Sequence, residues 1–193
     1  MNMPRFPTRP LAVALAGGLS CLLLCGHFTA RAADADEDHD WGVAATSQLR
    51  RPPYSAPTPR EIPGGKVITT AQLRDRTQAQ TGGAVMLIDV ASGDGHVTLA
   101  DSLWLAGIGR GTSFLDPAQA YVAEMLGKLT GGDKRRPLVF FCVNVQCWLS
   151  YNAALRAIML GYSEVYWYRG GVEAWRAAGL PLARAQPLVF RIE

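Results

Sequence analysis

Three short, unbroken apolar runs constrain this chain most: residues 85–90 (VMLIDV), 138–141 (LVFF) and 165–168 (VYWY). A strand buried on both faces has no polar side to show, so it reads as a continuous hydrophobic run rather than an alternation. Helical patterns lie between these runs. One spans residues 116–129, opened by Asp116-Pro117 and closed by Gly131-Gly132; another spans 148–160 and stops at Gly161. An acidic cap before proline and a glycine after the last turn are the usual helix boundaries. A helix from Thr70 to about residue 80 and a short one over 171–178 complete the series, with minor strands expected at 67–68 and 102–105. Strands alternating with helices predict an α/β fold, a parallel sheet with helices on both faces.

The chain before residue 64 has a different character. Arg5 and Arg9 precede an apolar run from Leu11 to Cys25, and Ala30-Arg31-Ala32 offers small residues at both specificity positions of a cleavage site. This predicts a secretory signal peptide over residues 1–32. The run is short for a membrane span of about 20 residues, so no span is expected after cleavage. Residues 33–63 form an acidic, then proline-rich, extended arm: 34–40 reads as a solvated, mobile start, and 51–65 carries five prolines. Residues 64–193 form the domain.

Charge and cysteine count exclude several functions. The net charge of +3 comes from 19 basic and 16 acidic residues, and Arg5, Arg9 and Arg31 lie in the leader. The mature chain is neutral, which argues against nucleic-acid binding. Cys21 and Cys25 leave with the leader, so Cys142 and Cys147 remain. Two cysteines do not staple a disulfide-dense miniature fold, and a hydrophobic core must hold this one. His39 and His96 are far apart, with no metal-ligand spacing around them, so neither metal nor cofactor is expected.

Cys142 follows LVFF directly, and a helix begins about six residues later. In open α/β sheets, ligands collect outside the carboxyl ends of the strands. The loop Val143, Asn144, Val145 and Gln146, with Trp148 packing it on the sheet, is expected to curl its amides around the sulfur. The helix N-terminus adds partial positive charge and favours a nucleophilic thiolate. Cys147 has two readings: a partner for Cys142 in a disulfide or resolving pair, or a small hydrophobe lining the loop. Asp89 either supports loop backbone near the site or caps its strand. The loop carries no cation, and Arg110, between Gly109 and Gly111, is the best candidate anion contact. Arg156 is a second cation with potential reach. Trp104, Tyr166, Trp167, Tyr168 and Trp175 read as core, and His96 as a turn residue.

Residues 138–175 resemble the rhodanese (sulfurtransferase) superfamily. The likeness lies in the strand–Cys–loop–helix unit, Gly161-Tyr162, the following strand and Gly170-Gly171-Val172-Glu173-Ala174-Trp175. Leu87-Ile88-Asp89-Val90 and Gly95-His96-Val97 extend it upstream, so that it covers about residues 64–182. The resemblance implies a single rhodanese-like domain in which Cys142 accepts a sulfane sulfur as a persulfide and passes it on. Residues 53–59 (PYSAPTP), 104–111 (WLAGIGRG), Thr130-Gly131-Gly132-Asp133 and Cys147-Trp148 are similar to a periplasmic subgroup. That subgroup is named for a CXXCW motif and is associated with pyrroloquinoline-quinone (PQQ)-dependent alcohol catabolism.

The resemblance implies a periplasmic sulfurtransferase with a small sulfur-containing donor and a thiol acceptor. Its further implied partner is a PQQ-dependent dehydrogenase or a cytochrome. Two alternatives stand beside it: a thiol–disulfide oxidoreductase using Cys142 and Cys147, and a non-catalytic module binding such a dehydrogenase or cytochrome.

Overall fold

The computed structural model describes residues 37–79 and 85–188. The leader expected over residues 1–32 and the end of the helix expected at residue 80 lie outside them. Five strands form the main sheet: β1 (Lys66–Val67), β2 (Met86–Asp89), β4 (Leu103–Trp104), β5 (Leu138–Phe141) and β6 (Val165–Tyr168). Their order is β1-β6-β5-β2-β4, and every neighbouring pair is parallel. The apolar runs are thus the three central strands, and β1 and β4 fall within a residue of their expected positions.

Period-two alternation divides the core into two layers. Ile88, Phe140 and Trp167 point to one face, where they pack with Val122 and Leu126 of α2 (Pro117–Thr130) and Ala153 and Ala157 of α3 (Trp148–Met159). Leu87, Val139, Phe141, Tyr166 and Tyr168 point to the other, against Leu73 of α1 (Thr70–Gln78) and Val172 and Trp175 of α4 (Gly171–Ala177). Helices cover both faces, so the continuous apolar strands have no wet side.

Capping residues set the helix starts. Thr69, one residue before the expected start, accepts from the Gln72 amide while the Gln72 side chain accepts from the Thr69 amide. This reciprocal pair satisfies two amides that a first turn leaves open. Asp116 accepts from the Gln119 amide at 3.0 Å, and Gly131 ends the same helix with a left-handed φ of 61°. One sheet escaped the sequence: β3 (Val97–Leu99) pairs antiparallel with β7 (Leu182–Arg184). Strands this short carry too few residues to show a period.

Of the acidic start expected over residues 34–40, residues 34–36 lie outside the described residues and Asp38, His39 and Asp40 are exposed, whereas Glu37 is not solvated as its acidity predicts. Glu37 is only 6% exposed, and its carboxylate accepts from the amide and hydroxyl of Thr70 at the N-terminus of α1. A helix N-terminus favours an anion, which is why an acidic side chain is buried there. Further along, the Tyr151 hydroxyl accepts from the Thr46 amide and donates to its carbonyl. Asn152 does the same for Arg50 at 2.9 Å each way. No helix among the described residues is long and apolar enough to cross a membrane.

Candidate functional site

Cys142 sits at the carboxyl end of β5, 3% exposed, and is joined in a disulfide to Cys147, the residue before α3. Their Cα atoms are 6.1 Å apart, within the reach of such a bridge. Of the two readings of Cys147, the structure holds the paired one.

The intervening loop is tied at both ends. At its start, the amides of Val172 and Glu173 donate to the carbonyls of Cys142 (3.0 Å) and Val143 (2.9 Å), and Asn144 Nδ2 donates to Glu173 Oε2 at 3.1 Å. Gly171 is required there: its φ is 63°, and a Cβ would lie 2.5 Å from the Cys142 carbonyl oxygen. At its end, Asn144 Oδ1 accepts from the Gln146 amide and the Asn144 carbonyl from the Cys147 amide, both at 3.1 Å. The Trp148 amide donates to the Tyr54 carbonyl at 2.9 Å, and the Trp148 indole to that of Pro57.

Three amides of the expected cradle are committed elsewhere: those of Gln146, Cys147 and Trp148 donate to carbonyl and side-chain oxygens. The physical reason lies in the loop's own chemistry: Asn144 folds it into an Asx turn, and the arm takes the first amide of the helix.

Both cysteines open on a cavity of about 350 Å³. Val143, Asn144 and Gln146 line it with Arg110, Tyr54, Ser55, Ser92 and Leu149. Arg110 is the one cation among these lining residues. Val145 and Trp148 do not line the cavity. The Val145 carbonyl accepts from the Thr58 hydroxyl, and Trp148, 3% exposed, packs edge-on against Tyr151 at 5.0 Å.

Arg156 does not reach the sulfur. It is fully buried and donates to Asp116 Oδ2 (2.9 Å), Gln119 Oε1 (2.9 Å) and the Arg110 carbonyl (2.7 Å). Burial of the Asp116 carboxyl works to raise its pKa. The hydrogen bonds from Arg156, Gln119 and Ser113 and the guanidinium charge outweigh this and lower it from 3.8 to about 2. Gly109 lets α3 approach this loop: a Cβ there would sit 1.9 Å from the Leu149 carbonyl oxygen.

Asp89 is fully buried and lies outside the cavity. Its Oδ1 accepts from the Ala91 amide at 2.8 Å, and its Oδ2 from Thr98 (2.6 Å) and His96 Nε2 (2.7 Å). It fixes the turn that leads to Ser92, and none of its side-chain hydrogen bonds goes to the cysteine loop. His96 directly precedes β3 and packs edge-on to Trp104 at 4.8 Å.

Sequence reasoning missed Arg169. It follows β6 directly, is 2% exposed, and donates to Thr58 and to the carbonyls of Glu37 and His39. A cation placed between a buried strand and Gly170-Gly171 was the available signal, because it cannot stay unpaired there.

A cysteine-bearing loop between a central parallel strand and a helix, closed by a glycine-pair turn after the next strand, defines the class of this α/β domain. The model of the rhodanese-like domain matches residues 70–178, more than half of the chain, and the chain belongs to that family. A comparison with curated proteins found no match.

Among solved structures, the chain is similar to a thiosulfate sulfurtransferase from Pseudomonas aeruginosa, at 14% identity and a TM-score of 0.46. That likeness covers 64% of this chain and 21% of the other, so the match spans about a fifth of that protein's length. A yeast protein tyrosine phosphatase of the rhodanese family is 21% identical, with a TM-score of 0.44, covering 61% and 88% of the two chains. The BH2092 protein of Bacillus halodurans is 18% identical, with a TM-score of 0.46, covering 62% and 77%.

Proposed function

We propose that this chain is an exported rhodanese-family thiol protein in which Cys142 is the sulfur nucleophile and Cys147 its resolving partner. The observation that carries the reading is the Cys142–Cys147 disulfide, lying at the strand end and open to a cavity that also holds Arg110. In the reduced protein the Cys142 thiolate attacks the outer sulfur of a sulfane donor. The donor's S–S bond breaks, its thiolate leaves, and Cys142 carries a persulfide. The Cys147 thiolate then attacks Cys142 Sγ, the persulfide S–S bond breaks, hydrosulfide leaves and the disulfide closes. An external dithiol reopens it by thiol–disulfide exchange and is itself oxidised by two electrons.

Arg110 favours a second reading, a plain sulfurtransferase in which an acceptor thiol takes the persulfide sulfur before Cys147 acts. The cation would hold an anionic donor beside Cys142 by a charge-assisted hydrogen bond. Both readings share the first step. They fit a periplasmic setting, where a disulfide persists. They also fit the CXXCW-type subgroup associated with PQQ-dependent alcohol catabolism, with a dehydrogenase or cytochrome as partner.

Hydrosulfide release from the fully reduced protein given one equivalent of polysulfide separates the two. Resolution by Cys147 predicts one hydrosulfide per chain and a product with no free thiol, with release abolished in Cys147→Ser. Persulfide formation without release supports the plain sulfurtransferase, and no reaction at Cys142 refutes both.

A further inference from the structure

The matched family domain begins at residue 70, yet the arm before it supplies part of the cysteine site. Ser55 faces Cys147 in an antiparallel bridge, and the Ala56 amide donates to the Gln146 carbonyl at 3.0 Å. Thr58 reaches deepest. It is 1% exposed, and its hydroxyl donates to the carbonyl of Val145, midway between the two cysteines. The same hydroxyl accepts from Arg169 Nε at 3.1 Å, and the Thr58 carbonyl accepts from the Arg169 guanidinium at 3.2 Å. A hydroxyl has one proton and two lone pairs: here Arg169 takes a lone pair and the proton goes to the loop carbonyl. Arg169 is fixed in turn by the carbonyls of Glu37 and His39 and by the face of Trp41, 4.7 Å away.

We propose that Thr58 and Arg169 are positioning residues of the redox pair, holding the loop between Cys142 and Cys147 in its closed shape when the disulfide is reduced. The proposal rests on the reading of these cysteines as a pair that opens and closes. Two thiols on a slack loop meet rarely; on a loop already bent to the bridged shape, their effective concentration is high. The chain Trp41–Arg169–Thr58–Val145 supplies that bend from outside the loop. Hydrogen bonds of this kind persist in both redox states, so they lower the ordering cost of closure without favouring the reduced form.

The test is the thiol–disulfide equilibrium of the full mature chain in glutathione buffers, read by alkylation and mass spectrometry. Thr58→Val keeps the shape of the side chain and removes the hydroxyl. It is expected to lower the equilibrium constant for disulfide closure about tenfold, whereas Thr58→Ser stays within about twofold of the wild type. Ala56→Pro removes the Ala56 amide donor to the Gln146 carbonyl of the same loop, while also fixing φ at 56 and restricting Ser55, and it is expected to shift the same constant in the same direction. It decides the matter should Thr58→Val fail to fold. Folded variants with unchanged equilibrium constants and a lower melting temperature would overturn the proposal, leaving the arm a structural strap. A wild-type chain without a two-electron couple would overturn the paired reading as well, so the two failures are distinguishable.

Discussion

Arg156 holds Arg110 by its backbone: the buried guanidinium donates to the Arg110 carbonyl at 2.7 Å while pairing with Asp116 at 2.9 Å. Two cations near the cysteine loop therefore have different duties. One shapes the glycine-rich loop from within, and the other faces the cavity.

Asp116→Asn tests the first duty. The substitution keeps a helix cap but leaves a fully buried guanidinium without its counter-charge, and urea unfolding should register a loss of about 3 kcal/mol. The ion pair also sets an acid limit. Because the folded-state pKa of Asp116 is depressed to about 2, its contribution is fully present above pH 4 and is lost as pH falls through 2. Acid titration of stability should show this component in the wild type and lack it in Asp116→Asn.

Arg110→Gln tests the second duty. The rate of Cys142 with anionic sulfane donors should fall about tenfold, equivalent to roughly 1.4 kcal/mol, while the rate with a neutral thiol reductant stays unchanged. Added salt should slow the wild type with the anionic donor and have little effect on the variant, since screening acts only on the charge removed. Equal losses with both reagents would show that Arg110 shapes the loop and does not touch the donor.

Much of this arrangement was legible in the sequence. Leu138–Phe141 announces a buried parallel strand because every residue is apolar, and a cysteine at its end lies where such sheets gather ligands. Asp116-Pro117 and Gly131 bound a helix by local chemistry alone. What stayed hidden depends on partners distant along the chain. Nothing around Thr58 shows that its hydroxyl will meet Val145, 87 positions on, or that Arg169 will grip a segment 111 positions upstream. Only at Glu37 does acidity mislead about solvation, because the α1 N-terminus that draws it in is a tertiary feature. The amides of Gln146 and Cys147 turn to Asn144 for a local reason, an Asx turn that composition at that position allowed but did not require.

Asp89→Ala separates stability from chemistry. Three donors, the Ala91 amide, the Thr98 hydroxyl and His96 Nε2, lose their common acceptor inside the protein. A stability loss of about 3 kcal/mol should follow in denaturant unfolding. Because Asp89 lies outside the cavity, alkylation of the reduced variant at Cys142 should proceed at the wild-type rate under conditions where it is folded.

The Cys147→Ser variant puts the central claim to its most direct trial, with intact mass recorded before and after exposure of the reduced protein to a sulfane donor. The account predicts a gain of one sulfur atom, located at Cys142, stable until a thiol is added and then removed. A mass unchanged by the donor, in a variant that is folded and has Cys142 free to alkylation, would contradict it.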